Sequence, residues 1–356
     1  MFNKTLSSAC WLLFLFFNIS DLYAQDNVQD KPKMPVRGDY RLMFYNVENL
    51  FDWYDDRLTG DDDFLPAGKM HWTKKRCLQK INNIYKVIVA TGGWEPPEVI
   101  ALAEIENRFV LELLVRDTPL SKFHYEIIHH NSPDRRGIDV ALLYRPGRLQ
   151  KISESPVTIS DPDSGNIRTR DILYCSFKTK EADTIHLFTN HWPSRSGGQL
   201  SSEHLRMLAA TVLKSKSDSL TDANPRSKII IMGDFNDQPD NRSLRETLQA
   251  AYPDETPAGK KLYNLSYIKK GCPVSGTHKY QGIWALLDQV IVSGNLLNYG
   301  TLFTTQERYR IFDAPFLLEP DDKYLGTKPD RTYIGYKYHG GYSDHLPVYI
   351  DLLISR

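Results

Sequence analysis

The feature that most constrains this chain is the stretch from Lys228 to Pro239, Lys-Ile-Ile-Ile-Met-Gly-Asp-Phe-Asn-Asp-Gln-Pro. Its apolar, β-branched run predicts a strand buried on both faces. Gly233 ends the run, and Asp234 and Asn236 crowd the carboxyl end of the strand. Burying such groups is costly unless a metal or a phosphate partner satisfies them. The stretch therefore predicts a functional site at a strand end, although on its own it is also typical of an Asp/Asn-rich turn.

Composition indicates a globular protein without a long basic surface. The chain has 356 residues, of which 41% are hydrophobic, and its 44 basic and 44 acidic residues cancel. Proteins bind a long stretch of nucleic-acid backbone through a basic surface. The neutral net charge of this chain therefore favours local binding of one phosphodiester over binding of a long backbone. Three cysteines follow the leader, Cys77, Cys175 and Cys272. Their spacing fits no zinc site, and we interpret them as packing residues.

The N-terminus has the pattern of a secretory signal. Lys4 precedes an apolar run from Trp11 to Phe17, which is too short to span a bilayer, and Leu22-Tyr23-Ala24 resembles a cleavage site. We predict a signal peptide over residues 1–24, a flexible tether over 25–38 and one domain over 39–356. The protein is then expected to be secreted or periplasmic, without a transmembrane segment.

Several predicted strands end in polar groups, as the opening stretch does. Strands outnumber helices, and no repeat or second-domain boundary interrupts them, which favours one large α/β domain. The groups collected from these ends are Asn46, Glu104, His191, Asp234, Asn236, Asp288, Asp344 and His345. Each has an ordinary explanation alone, such as a solvated charge, a satisfied histidine or a structural salt bridge. Together they suit a hard divalent cation and phosphodiester cleavage.

Six segments resemble the endonuclease/exonuclease/phosphatase family, which has the DNase I-like fold. They occur in the family's order from about residue 40 to the end: Tyr45-Asn46-Val47-Glu48-Asn49, Ala103-Glu104-Ile105, Asn190-His191-Trp192, Gly233-Asp234-Phe235-Asn236, Leu287-Asp288-Gln289-Val290 and Ser343-Asp344-His345-Leu346-Pro347. The resemblance implies a four-layer α/β/β/α sandwich with the site at one edge of the paired sheets. One departure is Ala103, where the family usually has Gln.

The resemblance also implies a role for each motif residue. Glu104 is the principal metal ligand, with Asn46 and Asp344 beside it, and the expected ion is Mg²⁺, with Mn²⁺ or Ca²⁺ as alternatives. Asp234 orients or deprotonates the attacking water, and Asn236 binds phosphate oxygens. His345 contacts the scissile phosphate and is held by Asp288. His191 assists the leaving group or the phosphate.

Four further residues are candidates for the substrate side of the site. Asp139 is predicted either to support His191 or to pair on the surface with Arg135 or Arg136. Arg136 and Arg195 are candidates for contacts with substrate phosphate. Trp192 is predicted to stack on a base or a sugar, to sit at a lipid surface, or to pack in the core.

These patterns predict a secreted, metal-dependent phosphodiesterase. We favour an endonuclease-like enzyme because no long exposed apolar hairpin for membrane insertion is visible in the sequence. A sphingomyelinase-like phospholipid phosphodiesterase is the alternative, so the expected substrate is a nucleic acid or a phospholipid head group. A non-catalytic binding protein on this fold is a third hypothesis, and it predicts broken catalytic positions. No feature predicts a protein partner.

Overall fold

A computed structural model describes residues 36–93, 95–161, 165–195, 197–253, 256–266 and 274–355. The predicted signal peptide, the predicted tether up to residue 35, and Cys272 lie outside the described residues. The chain from Arg37 to Arg356 forms one compact unit. The proposed boundaries at residues 24 and 38 remain predictions.

The described residues contain four α-helices: α1 (Lys74–Gly92), α2 (Arg108–Arg116), α3 (Gln199–Ala223) and α4 (Gly294–Leu297). Helix α1 begins where the Thr73 side chain accepts a hydrogen bond from the Arg76 backbone, and it ends at Gly93, whose φ is 75°. Among the described residues, no helix combines the length and the apolar character that crossing a membrane requires.

Two sheets dominate the fold. Their strands are β1 (Tyr40–Leu50), β2 (Val99–Ile105), β3 (Glu126–His129), β4 (Asp139–Tyr144), β5 (Leu149–Val157), β6 (Ile172–Thr179), β7 (Thr184–His191), β8 (Lys228–Asp234), β9 (Ala250–Ala251), β10 (Leu262–Asn264), β11 (Asp288–Ser293), β12 (Leu302–Phe303), β13 (Tyr309–Ile311) and β14 (Val348–Ile354). The first sheet has the order β12-β14-β1-β2-β4-β3, with β13 also paired to β14. The second has the order β9-β10-β11-β8-β7-β6-β5.

Four short hairpins supplement the two sheets within the described ranges. They pair Ser160–Asp161 with Gly165–Asn166, His278–Tyr280 with Ile283–Ala285, Leu318–Pro320 with Thr327–Pro329, and Tyr333–Ile334 with Lys337–Tyr338. The region from Leu302 to Tyr342 is rich in Tyr, Pro and charged residues, a composition that predicts one long functional loop, but it contains short strands. Two of them, β12 and β13, pair with β14 in the first sheet.

Side-chain alternation along the strands builds four layers. On β8, Ile230 and Met232 pack between the two sheets, in the same cluster as Phe44 of β1. The intervening Ile229 and Ile231 pack instead on the α3 side of the second sheet. Helices α1 and α2 cover the opposite face of the first sheet in the same way, through a third cluster that includes Met43 and Ile84. The α/β/β/α sandwich predicted from the sequence is confirmed.

The same edge of both sheets receives the polar strand ends. Strands β1 and β2 are parallel, as are β7 and β8, so their carboxyl ends meet at this edge. Strands β11 and β14 are antiparallel to these neighbours and begin at the same edge. In the register of the second sheet, Asp234 lies between His191 and Asp288. Topology therefore gathers groups that are up to about 300 residues apart in the chain.

Candidate active site

Asp234 lies at the centre of the converging strand ends. Its Oδ2 accepts a hydrogen bond of 3.1 Å from the Asn46 amide. The same oxygen lies 3.7 Å from His191 Nε2 and 3.8 Å from His345 Nε2. Burial raises the pKa of the Asp234 carboxyl above its usual range, and the His345 charge opposes that rise. A buried carboxylate between two imidazoles is suited to take a proton from water.

His345 is held in place from behind. Its Nδ1 lies 2.7 Å from Asp288 Oδ2, and both side chains are buried. Burial by itself would lower the pKa of His345, but the charges of Asp288 and Asp234 outweigh it and raise the pKa well above the usual value. The direction of this shift favours the protonated ring, and Nε2 lies 3.8 Å from Asp234 Oδ2.

His191 faces the same carboxylate from β7, the strand next to β8, and its pKa is shifted in the opposite direction to that of His345. Its Nε2 lies 3.8 Å from Glu104 Oε1, and its Nδ1 has no hydrogen-bond partner among the described residues. Burial, reinforced by the charges of Arg170 and Arg136, lowers the pKa of His191 well below its usual value. The direction of this shift favours the neutral ring, so the pKa values of the two histidines are shifted in opposite directions.

Glu104 is the next-to-last residue of β2, and its backbone has a left-handed conformation with a φ of 64°. Its side chain accepts hydrogen bonds from the Asn49 backbone at 2.9 Å and from the Asn46 amide at 3.4 Å. Burial raises the pKa of Glu104, partly offset by the charge of Arg136, and Asp344 adds to the rise. Glu48, Asn49 and Asn236 also have positive φ values, of 54°, 58° and 51°. Such backbone strain is typical of functional sites.

Asp344 is joined to a group of residues that the sequence analysis did not single out. Arg331 Nη2 lies 2.8 Å from Asp344 Oδ2, and Arg331 Nε lies 3.3 Å from Glu48 Oε1. His278 Nε2 lies 3.9 Å from the same Asp344 oxygen. Burial would raise the pKa of Asp344, but His345 and Arg331 outweigh it and lower the pKa. Glu48 stood inside a quoted motif, whereas no sequence signal marked Arg331 or His278.

The side chains at this edge offer both carboxylate oxygens and imidazole nitrogens. Glu104 and Asp344 carry the oxygens that a hard divalent cation prefers. Among the described residues, the ligand atoms within 4.8 Å of one another at this edge are those of His278, Asp344 and His345 and those of Asp234, Asp288 and His345, and Glu104 belongs to neither group. Asn46 is different, because its Oδ1 accepts a hydrogen bond from the Glu48 backbone and its amide nitrogen faces Glu104 and Asp234. It becomes an oxygen ligand only if the amide turns by about 180°.

The structure corrects the assignment of Asp139. This side chain is buried, but its Oδ2 lies 3.1 Å from His129 Nε2, and its Oδ1 accepts hydrogen bonds from the Ser132 backbone and hydroxyl. It therefore neither supports His191 nor pairs with Arg135 or Arg136. The physical reason is that Asp139 begins β4 beside β3, so its nearest histidine is the last residue of β3.

The structure also decides between the two interpretations of Trp192. The side chain is fully buried and packs edge-on against Phe235 at a centroid distance of 4.8 Å. Its indole nitrogen donates a hydrogen bond of 3.1 Å to Asn190 Oδ1. Trp192 is a core residue, and the prediction that it stacks on substrate is wrong.

The remaining predicted residues border the site. Asn236 donates a backbone hydrogen bond of 2.9 Å to Asp234 Oδ1. Arg195 Nε donates one of 2.6 Å to the Asn236 carbonyl and so holds the loop after β8. Arg136 is half-exposed, 3.6 Å from Asp134, and its charge acts on both Glu104 and His191. The phosphate contacts expected of Asn236, Arg136 and Arg195 remain predictions.

Residues 41–353 match the model of a family described as the endonuclease/exonuclease/phosphatase family. The match covers most of the chain, and the protein belongs to this family. Its members are phosphoesterases and nucleases, so the chain is a member of a hydrolase family that commonly uses divalent metals. No curated protein sequence matches the chain.

Solved structures of similar fold include several with different activities. A Bacteroides thetaiotaomicron mannosyl-6-phosphatase has a TM-score of 0.54 at 14% identity, over 88% of this chain and 99% of that chain. The human Nocturnin catalytic domain with bound sulfate has a TM-score of 0.52 at 14% identity, over 89% and 94%. D. rerio TDP2 with a single-strand DNA product has a TM-score of 0.52 at 13% identity, over 88% and 98%. At these identities the likeness shows the fold alone.

Proposed function

We propose that this protein is a metal-dependent phosphodiesterase that cleaves nucleic-acid phosphodiesters, most simply as an endonuclease. The observation that carries the proposal is the position of Asp234. It lies between a charged His345, held by Asp288 at 2.7 Å, and a neutral His191, 3.7 Å away. Cleavage of a phosphate ester by water needs one group that accepts a proton and others that contact the phosphate and the leaving oxygen.

Glu104 and Asp344 would hold the cation, with Asn46 joining them when its amide is turned. A bound Mg²⁺ supplies charge neutralisation for the phosphoryl oxygens. The chain's own residues supply the proton chemistry. Asp234 orients the water and accepts its proton, because burial raises the pKa of this carboxyl and so makes it a stronger base. In the orientation that the structure shows, the Asn46 amide nitrogen donates to Asp234 and holds its carboxyl, and this bond is lost when the amide turns towards the cation.

The two histidines have different roles in contacting the phosphate and the leaving oxygen. His345 is positively charged, so its Nε2–H donates to a phosphoryl oxygen that becomes more negative during cleavage. His191 is neutral, and its Nε2 is available for a hydrogen bond to the phosphate or the leaving oxygen. Arg170 holds the backbone of this residue through a 3.2 Å hydrogen bond to the His191 carbonyl. Arg136, half-exposed beside Glu104, is the candidate contact for a flanking phosphate.

A phospholipid phosphodiesterase is the second candidate, and one structural feature favours it. The hairpin that pairs His278–Tyr280 with Ile283–Ala285 exposes Tyr280 and Ile283, at 67% and 73%. The hairpin begins at His278, which forms an isolated bridge with His345. A short apolar hairpin therefore lies beside the site, whereas the sequence analysis considered only a long one. Side chains of this kind contact lipid surfaces.

The experiment compares substrates with and without metal. Purified protein is incubated with plasmid DNA, RNA, sphingomyelin vesicles, a chromogenic phosphodiester and a sugar phosphate, with Mg²⁺ or with a chelator. We expect Mg²⁺-dependent nicking of DNA or cleavage of RNA. Preferential turnover of sphingomyelin would contradict the nuclease proposal and support the phospholipid phosphodiesterase. Absence of turnover on every substrate would leave the non-catalytic binding protein, against which the intact Asp234, Asp288 and His345 argue.

The proposed location is outside the cytoplasm. It is supported by the sequence of residues 1–24 alone, which lie outside the described residues. Expression of the full chain in a bacterial host, followed by fractionation and N-terminal sequencing, tests it. We expect a mature protein that begins at or close to Gln25. A cytoplasmic protein that retains residues 1–24 would contradict the proposal.

A further inference from the structure

A second group of metal-ligating side chains occurs in the region between β13 and β14. Glu319, Asp330 and His339 place ligand atoms within 4.8 Å of one another. His339 Nε2 lies 3.0 Å from Glu319 Oε2 and 3.1 Å from Asp330 Oδ1. None of the three belongs to a motif that the sequence analysis used, and none is among the residues around Asp234.

The hydrogen bonding of this group is incomplete. One imidazole nitrogen carries at most one proton, yet two carboxylates approach the same Nε2. Glu319 Oε1 is buried and has no hydrogen-bond partner among the described residues. Lys328 Nζ forms an ion pair with this oxygen at 3.5 Å, while the other oxygen of the carboxylate, Oε2, faces His339. A cation between the three side chains would bind both carboxylates together, and it would also satisfy Oε1 where Glu319 binds through both of its oxygens.

We propose that Glu319, Asp330 and His339 form a second metal site, which binds a transition-metal dication such as Zn²⁺. Two carboxylates and one imidazole are a mixed oxygen and nitrogen set, which suits Zn²⁺ better than Mg²⁺ or Ca²⁺. The His339 side chain is 36% exposed, so water has access to complete the coordination. The site is distinct in residues and in ligand chemistry from the oxygen-rich set of Glu104 and Asp344.

The position of the site gives it a structural role. The Asp330 carbonyl accepts backbone hydrogen bonds from Tyr342 at 2.5 Å and from Ser343 at 3.2 Å. Gly341 packs so closely that an added Cβ would lie 2.2 Å from Asp330 Oδ1. The next residue, Arg331, contacts Asp344. A metal at this site therefore fastens the segment that carries Asp344 and its Arg331 partner.

The test measures Zn²⁺ binding in a chain whose active-site ligands are weakened. In a Glu104→Gln/His345→Gln background, metal-free protein is dialysed against Zn²⁺ and its zinc content is determined by mass spectrometry. We expect one tightly bound Zn²⁺, at least a tenfold loss of affinity on adding His339→Gln or Glu319→Gln, and no loss on adding His204→Gln. His204 is an exposed histidine of α3 and serves as the matched control.

Thermal unfolding provides a second readout that does not depend on activity. Zn²⁺ should raise the melting temperature of the background protein and leave that of the His339→Gln protein unchanged, whereas Mg²⁺ and Ca²⁺ should have little effect on either. Circular dichroism confirms that each variant is folded. Equal Zn²⁺ affinity with and without His339, or no Zn²⁺ binding by the background protein, would overturn the proposal.

Discussion

Asp234 and Asp139 are both buried aspartates at the end of a strand, but their neighbours give them different roles. Asp234 faces His191 and His345, at 3.7 and 3.8 Å. Asp139 is held by His129 and Ser132. A pair of otherwise similar residues therefore provides a matched test of where the active site lies.

We predict that Asp234→Asn lowers turnover by about 10²–10⁴-fold, because the amide cannot accept a proton from water. Asp139→Asn should leave turnover nearly unchanged and instead lower the free energy of unfolding by about 1–3 kcal/mol, because an amide nitrogen replaces one of the two oxygens that contact Ser132 and His129. Turnover of a chromogenic phosphodiester and denaturant unfolding measure the two effects. Equal loss of turnover in both variants would show that the site is misplaced.

Trp192 supports a second prediction at the residue scale. Trp192→Phe removes the indole hydrogen bond and leaves Asn190 Oδ1 buried without that donor. We expect the free energy of unfolding to fall by about 1–3 kcal/mol. KM should not change, because Trp192 cannot reach substrate. A clear rise in KM with unchanged stability would restore the stacking role.

At the scale of elements, the close approach of β7 and β8 sets the spacing of the site. These parallel strands place His191 opposite Asp234. Gly233 lies so close to β7 that a Cβ added there would be 2.3 Å from the Asn190 carbonyl oxygen. Glycine is required because the backbones touch, and its φ is not in the left-handed region.

Gly233→Ala should therefore push β7 and β8 apart. We predict a loss of about 3 kcal/mol or more in the free energy of unfolding, or failure to fold, since backbone cannot move aside as a flexible side chain would. Gly147→Ala is the control, because an added Cβ there meets nothing within 4 Å. Urea unfolding of the two variants measures the difference. Similar stabilities would mean that the β7–β8 contact is looser than the structure shows.

At the scale of the whole molecule, the candidate metal ligands come from segments that are far apart in the chain. Glu104 is the next-to-last residue of β2, and Asp344 precedes the last strand, β14. Burial and mutual repulsion raise the pKa of Glu104, so a cation that binds both carboxylates relieves an unfavourable arrangement in the folded state. Such a cation stabilises the native chain because the unfolded chain has no comparable site.

We predict that Mg²⁺ at about 100 times its dissociation constant stabilises the fold by about 2.7 kcal/mol, and that a chelator abolishes turnover. Glu104→Gln should reduce both the Mg²⁺-dependent rise in melting temperature and the turnover. Thermal unfolding with and without Mg²⁺ measures the first effect. A melting temperature that Mg²⁺ raises equally in the wild type and in Glu104→Gln would place the ion elsewhere.

The layers of the fold were predictable from the sequence, and so was the meeting of several motif residues around Asp234, whereas the roles assigned to those residues remain predictions. The apolar run of β8 and the polar groups that follow it predicted a buried strand with chemistry at its end, because an alternating or continuous apolar pattern directly encodes burial. The six motifs likewise predicted which residues meet, since their order along the chain matches a known topology. These signals are local, so they can be recognised from the sequence alone.

The partner of each buried polar group, by contrast, depends on the three-dimensional arrangement of the strands. Asp139 pairs with His129 because β3 and β4 are neighbours, and Trp192 is buried because Phe235 and Asn190 enclose it. Arg331 reaches Asp344 across a region with no motif. Hydrogen bonds and ion pairs depend on distances of a few ångströms between residues far apart in sequence. The periodic pattern of apolar residues along the chain contains no information about those distances.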